Sequence, residues 1–200
     1  MAIRAVIFDI GGVLEHTPPT GWNARWAREL GMQDSDFDAR LAPIFELGSL
    51  GRIDLEEVHL RIAEALDLDG ASSDALMHDV WGEYLGTLNE ALTRYFAGLR
   101  PRLRTGILSN SFVGAREREA AAYGFPDLCD VLVYSHEEGL AKPDPAFYAI
   151  ACERLGVPAT GTAFLDDLPG HVMAARRLGM TGVVFHDTAQ AIAELEAILG

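Results

Sequence analysis

Near the start of the chain, the stretch Ile3 to Leu14, read IRAVIFDIGGVL, constrains the possible folds more than any other. Val6, Ile7 and Phe8 are β-formers in an unbroken apolar block, which suits a strand buried on both faces of a parallel sheet and not one alternating between core and water. The block stops on Asp9, and the chain then turns through Gly11-Gly12. In open α/β sheets ligands bind in the crevice beyond the carboxyl ends of the strands, so a carboxylate at this strand end is a candidate functional group. Two adjacent glycines let the backbone pass close by and leave room for an anion or a metal ion. The same residues also describe an ordinary strand end with Asp9 capping a turn, so the remaining strands must decide.

From about Gly21 to Leu85 there is almost no β-like run. Four amphipathic sets appear instead: Trp22, Trp26 and Leu30; Phe37, Leu41, Ile44 and Phe45; Leu55, Val58, Ile62 and Leu66; and Leu76, Val80, Trp81, Tyr84 and Leu85. Spacings of three and four put each set on one helical face and predict a small helical subdomain with its own packed core. The third helix has the clearest start, with Asp54 as N-cap, Glu57 at N3 and Ile53 placed to staple against Val58. After Asn89 helix and strand alternate. Helices are predicted over 91–99, 115–123, 172–178 and 189–199, and another opens on Asp144-Pro145. Strands are predicted over 105–108, 131–134, 163–165 and 183–185. This alternation argues for a doubly wound, Rossmann-like α/β core with a parallel sheet, made of residues 1–16 and 87–200, carrying a helical cap at 17–86. Ser109 and the pair Asp166-Asp167, like Asp9, directly follow strands, and Lys142 lies in the loop after another. In a parallel sheet those ends open on one edge, so these residues converge in one crevice. Three carboxylates there would repel one another, and Lys142 with a divalent cation is the economical remedy.

Composition narrows the function. A formal net charge of −14 over 200 residues, with no basic face in view, argues against a nucleic-acid partner. Cys129 and Cys152 stand in no metal-ligand or redox spacing, which fits two buried thiols in a reducing compartment. No run is apolar for long enough to span a bilayer, and Arg4 and Asp9 interrupt the N-terminal apolar run, so a cytoplasmic protein without a membrane partner is expected.

Four segments, FDIGGVL, ILSNS, AKPDP and FLDDLPGHVMAARRLGM, occur in an order that resembles the haloacid dehalogenase-like (HAD) hydrolase superfamily, in the branch with a helical cap inserted after the first strand. Within it the chain looks most similar to the subgroup that includes the phosphatase domain of soluble epoxide hydrolase and bacterial sugar-phosphate phosphatases. The resemblance implies a Mg²⁺-dependent phosphatase of a small phosphorylated metabolite, working as a monomer or homodimer. It implies Asp9 as the nucleophile that forms an aspartyl-phosphate. It also implies Asp9, the Gly11 carbonyl and Asp167 as protein ligands of Mg²⁺, with Asp166 orienting Asp167 or a metal-bound water. Ser109 and the Asn110 amide would bind a phosphoryl oxygen, and Lys142 would neutralise developing charge.

The sequence departs from that pattern at Gly11, where phosphatases of the superfamily usually carry a second Asp that protonates the leaving alcohol. General acid-base help is typically worth about 10² to 10⁴ in rate. His16, in the turn after the strand, is one substitute donor, a solvated histidine being the plainer account. Arg52, in the cap loop Gly48 to Asp54, is suited to gripping a second anionic group, or is a surface arginine beside a capping box. Two alternatives accompany the phosphatase expectation. One is a catalytically weak phosphate-binding or regulatory protein, for which Gly11 is the supporting feature. The other is a hydrolytic dehalogenase, against which the Asp166-Asp167 pair weighs.

Overall fold

A computed structural model describes residues 2–200. The first strand, β1 (Ala5–Phe8), is followed by a two-residue strand, β2 (Glu15–His16), and then by four helices, α1 (Trp22–Glu29), α2 (Asp34–Ser49), α3 (Leu55–Leu66) and α4 (Gly70–Leu85). The chain returns through β3 (Thr87–Leu88) and continues with α5 (Glu90–Leu99), β4 (Arg104–Ser109), α6 (Ala115–Tyr123), α7 (Phe125–Leu128), β5 (Val131–Tyr134), α8 (Ser135–Glu138) and α9 (Pro145–Leu155). It ends with β6 (Thr162–Asp166), α10 (Pro169–Arg177), β7 (Thr181–Val184) and α11 (Thr188–Leu199).

Five strands form one parallel sheet in the order β5-β4-β1-β6-β7. All four residues of β1 are buried, as its unbroken apolar block requires of a central strand. Successive side chains divide between the two faces. Val6 and Phe8 pack under α5 and α11 with Phe96 and Leu195, whereas Ala5 and Ile7 join Phe147, Tyr148 and Ala175 of α9 and α10 on the other side. Register then fixes the site. Phe8 lies opposite both Ile107 and Leu165, so the next step along the sheet sets Asp9 level with Asp166. The order reverses around β1, which is the topological switch point where such sheets bind ligands.

The four cap helices bury a separate apolar cluster around Phe37, Leu41, Val58, Ile62, Leu76 and Trp81. Asp54 caps α3 by accepting from the Glu57 amide at 2.9 Å, and Asp144 caps α9 by accepting from the Ala146 amide at 2.9 Å. The cap is seated on the sheet domain. Phe112 enters its cluster edge-on to Phe45, with ring centroids 5.7 Å apart, and the Ser135 hydroxyl donates to the Ser49 carbonyl at 2.8 Å. A Cβ on Gly51 would stand 1.8 Å from the His136 carbonyl oxygen, so only glycine lets that cap turn approach so closely. At its neck, β2 and β3 pair antiparallel, Glu15 with Leu88 and His16 with Thr87.

The last strand and the neck are among the places that differ from the sequence expectation. The last strand starts at Thr181 and not at Val183, because Gly182 is part of it. A Cβ there would meet Val172 Cγ1 at 2.6 Å, so this glycine permits close helix-sheet packing within the strand. The pair β2 and β3 was not anticipated, since two residues carry no periodicity. Both cysteines are buried and free. Among the described residues no helix is long and apolar enough to cross a membrane.

Candidate active site

Asp9 follows β1, Ser109 ends β4, Asp166 ends β6 with Asp167 next, and Lys142 comes from the loop between α8 and α9. The fold brings four of these five together by direct contact or close approach. Lys142 Nζ is 2.7 Å from Asp9 Oδ1 and 2.7 Å from Asp166 Oδ2, and all three side chains are buried. Asp9, Asp166 and Asp167 each offer an oxygen within 4.8 Å of the others, a hard-oxygen donor set of the kind Mg²⁺ takes. Ser109 is buried beside them and, with Gly11 and Asn110, lines the adjoining cavity.

The partners differ from residue to residue. Asp9 Oδ1 accepts from the Ile10 amide at 2.7 Å. Both oxygens of Asp166 are committed: Oδ2 to Lys142, Oδ1 to the Leu168 amide at 2.8 Å, with His171 Nδ1 at 3.1 Å from Oδ1. Asp167 is half-buried and keeps its oxygens freer, packing against Gly12, whose φ of +72° and lack of a side chain make the approach possible. Asn110 holds the lysine loop in both directions. Its Nδ2 donates to the Lys142 carbonyl at 2.9 Å, and its Oδ1 accepts from the Lys142 amide at 2.7 Å.

Electrostatics follow from this geometry. Burial pushes the Asp9 carboxyl up to about 7, against the pull of Lys142. Burial acts the same way on Asp166, but His171, Lys142 and the Leu168 amide outweigh it and hold that carboxyl down at about 2. Asp167 is raised by burial and by the neighbouring Asp166. Unlike Asp166, it has no cation bonded to it among the described residues.

Gly11 has no atom within 4 Å of where a Cβ would stand, and it is not among the glycines at positive φ. His16 lies in β2 with its side chain exposed, and the cavity is lined by its neighbours Glu15 and Thr17 instead. Arg52 is exposed in the turn between α2 and α3 and takes no part in that lining. Several participants were not read from the sequence. His171, in the first turn of α10, reaches Asp166. Glu15 and Glu119 are 1% and 0% exposed, and each leaves Oε1 without a hydrogen-bond partner. The Tyr134 hydroxyl donates to Glu119 Oε2. Burial pushes the Glu15 carboxyl up to about 9, with Glu119 and Asp9 adding to it, and pushes Glu119 up to about 7. Nothing local marks these two acids, since Glu119 sits in AREREAAAY, a run that reads as a solvated helix.

Residues 3–179 match the family model described as haloacid dehalogenase-like hydrolase. "Phosphatase MT3486" of Mycobacterium tuberculosis is 28% identical over 95% of this chain and 90% of its own length. "Acyl-CoA dehydrogenase family member 10" of Mus musculus is 28% identical over 98% of this chain, which spans only 19% of that longer protein. A HAD family enzyme from Bacteroides thetaiotaomicron, solved in complex with magnesium and inorganic phosphate, superposes with a TM-score of 0.78 at 21% identity, covering 92% of this chain and 95% of its own. At that identity the likeness speaks for the fold.

Proposed function

The chain belongs to the haloacid dehalogenase-like hydrolase family, and from that premise we propose that it is a Mg²⁺-dependent phosphatase of a small phosphorylated metabolite, acting through an aspartyl-phosphate on Asp9. The observation that carries this reading is the convergence of Asp9, Lys142 and the Asp166-Asp167 pair at the switch point of the sheet, with Ser109 beside them. Relatives described as phosphatases, including "Phosphoglycolate phosphatase" of Xanthomonas campestris at 27% identity over 90% of this chain, support the same class of reaction.

In this reading Asp9 attacks phosphorus with its free oxygen while Oδ1 is held by the Ile10 amide and Lys142. Lys142 neutralises charge gathering on the phosphoryl oxygens, and Asn110 fixes the loop that carries it. Ser109 hydrogen-bonds a phosphoryl oxygen. Asp167 and Asp9, with the Gly11 carbonyl, are the ligands for Mg²⁺, and Asp166 holds Lys142 in place. When bound, the metal ion supplies charge neutralisation and orientation of the phosphoryl group. Without an acid at position 11, substrates with good leaving groups need least help, so activity is restricted and not absent. That same gap is what favours the second reading, a phosphate-binding protein with weak turnover.

Phosphate release from aryl and alkyl phosphates, measured with Mg²⁺ and with a chelator, tests the proposal. Wild-type release that disappears with chelator and in folded Asp9→Asn is the expected result. Chelator-resistant activity or full turnover by Asp9→Asn would remove the reading, and halide release from a halo acid would replace it with the dehalogenase.

A further inference from the structure

We propose that the cavity beside Asp9 recognises a cationic amine on the leaving group, so that preferred substrates are phosphate monoesters of amino alcohols or amino sugars. This rests on the phosphatase reading and extends it to substrate class. The cavity, about 310 Å³, begins at Gly11 and Ser109, where a departing alcohol must lie. Its far walls present three carboxyl groups from three elements, Glu15 of β2, Glu83 of α4 and Glu119 of α6, together with Trp22 and Tyr84. No lysine or arginine is among the lining residues.

Charge and hydrogen bonding both select the occupant. Glu15 and Glu119 are almost wholly buried, line the cavity and each leave Oε1 without a donor, a vacancy that a ligand N–H can fill. Glu83 Oε2 is fixed by the Thr20 amide and hydroxyl, at 2.5 and 2.8 Å, and has no ion-pair partner among the described residues. Aromatic faces next to carboxylates form favourable surroundings for an ammonium group. A polyol would satisfy the oxygens but gain nothing from their charge. A second carboxylate or phosphate would be repelled by Glu83 and would keep Glu15 and Glu119 protonated, whereas an ammonium group favours their ionised forms. Lys142 is already shared between Asp9 and Asp166, and Arg116, whose charge reaches Glu119, is paired with Glu137.

Two matched series test the proposal on the full chain with Mg²⁺: phosphoethanolamine, ethylene glycol phosphate and phosphoglycolate; and glucosamine 6-phosphate, glucose 6-phosphate and 6-phosphogluconate. The expected result is that in at least one series kcat/KM for the amine exceeds that for the neutral member by about tenfold and that for the carboxylate by more. In Glu15→Gln and Glu83→Gln, shown to be folded by circular dichroism, the ratio of amine to neutral member should fall towards one. Preference for the neutral or carboxylate member in both series overturns the proposal, as does a ratio unchanged in both variants. Hydrolysis of p-nitrophenyl phosphate tells the two readings apart. If even this is not turned over, the phosphatase reading fails, and calorimetry with glucosamine and glucose decides the amine site alone: heat selective for the amine and lost in the variants supports it, and equal or absent heat overturns it.

Discussion

Asp166 and Asp167 are adjacent in sequence and opposite in situation. Asp166 is fully buried with both oxygens bonded, and removing it leaves Lys142 with Asp9 alone and a partly uncompensated charge in the interior. Breaking one partner of such a buried pair costs about 3 to 5 kcal/mol. Asp167 is half-buried and free of such bonds, so its removal should cost little stability. Asp166→Ala is therefore expected to lower the unfolding midpoint most, and Asp167→Ala to weaken Mg²⁺ binding most; thermal unfolding and calorimetric Mg²⁺ titration on the same two proteins check this. Equal losses in both assays would show that the two acids share one role. Gly11 offers a second residue-scale experiment. A Cβ there meets nothing within 4 Å and the backbone is not in the left-handed region, so a side chain is admissible. The strain sits instead at Gly12, where a Cβ would stand 2.5 Å from Asp167 Oδ2. Gly11→Asp should raise turnover of alkyl phosphates by some part of the ~10² to 10⁴ available to general acid catalysis, and that of aryl phosphates much less. An alkyl-to-aryl ratio that stays constant in the folded variant would show that proton donation is not what the site lacks.

At the scale of elements, what could be read in advance was whatever repeats or punctuates. The apolar blocks that became β1, β4, β5 and β6, the four amphipathic sets of the cap and the capping residues Asp54 and Asp144 all carry local signals, and through strand-end position they bring Asp9, Ser109, Lys142 and the acidic pair to one edge. Long-range burial carries no such signal. Glu15 is part of a two-residue strand and Glu119 of a charged helix, and only tertiary packing brings them to one cavity. That packing makes stability depend on pH. A carboxyl raised from 4.5 to about 9 in the folded chain binds a proton more tightly there than in the unfolded chain. Its contribution is complete below the unfolded value and is lost as pH rises from about 4.5 towards 9. Glu119, raised to about 7, acts in the same sense over the lower part of that window. Glu15→Gln cannot ionise and should recover on the order of 4 kcal/mol relative to wild type at pH 8, compared with pH 5. Urea unfolding in chelator at the two pH values measures it, and parallel losses in both proteins would place the pH dependence elsewhere.

On the scale of the whole molecule, sheet and cap each have a separate apolar cluster, and Phe112 and Ala115 lend side chains from the sheet domain to the cap. The walls of the cavity next to Asp9 come from both, with Trp22, Glu83 and Tyr84 supplied by the cap, so the seating of one on the other sets the volume open there. The neck of paired β2 and β3 has a topological consequence. His16 and Thr87 are cross-strand partners, so the ends of the cap are already neighbours, and to the sheet domain the whole of 17–86 amounts to one overgrown hairpin loop. Trimming it to a short Asn-Gly turn, with Phe112 changed to a polar residue, should leave a chain that folds around the five-stranded sheet and still binds Mg²⁺, checked by circular dichroism and metal titration; loss of cooperative unfolding would show the cap to be part of the folding unit. Chains built this way can exchange the segment between those two residues without rewiring the strands, so selectivity for the substrate can diverge while the reacting centre is inherited unchanged.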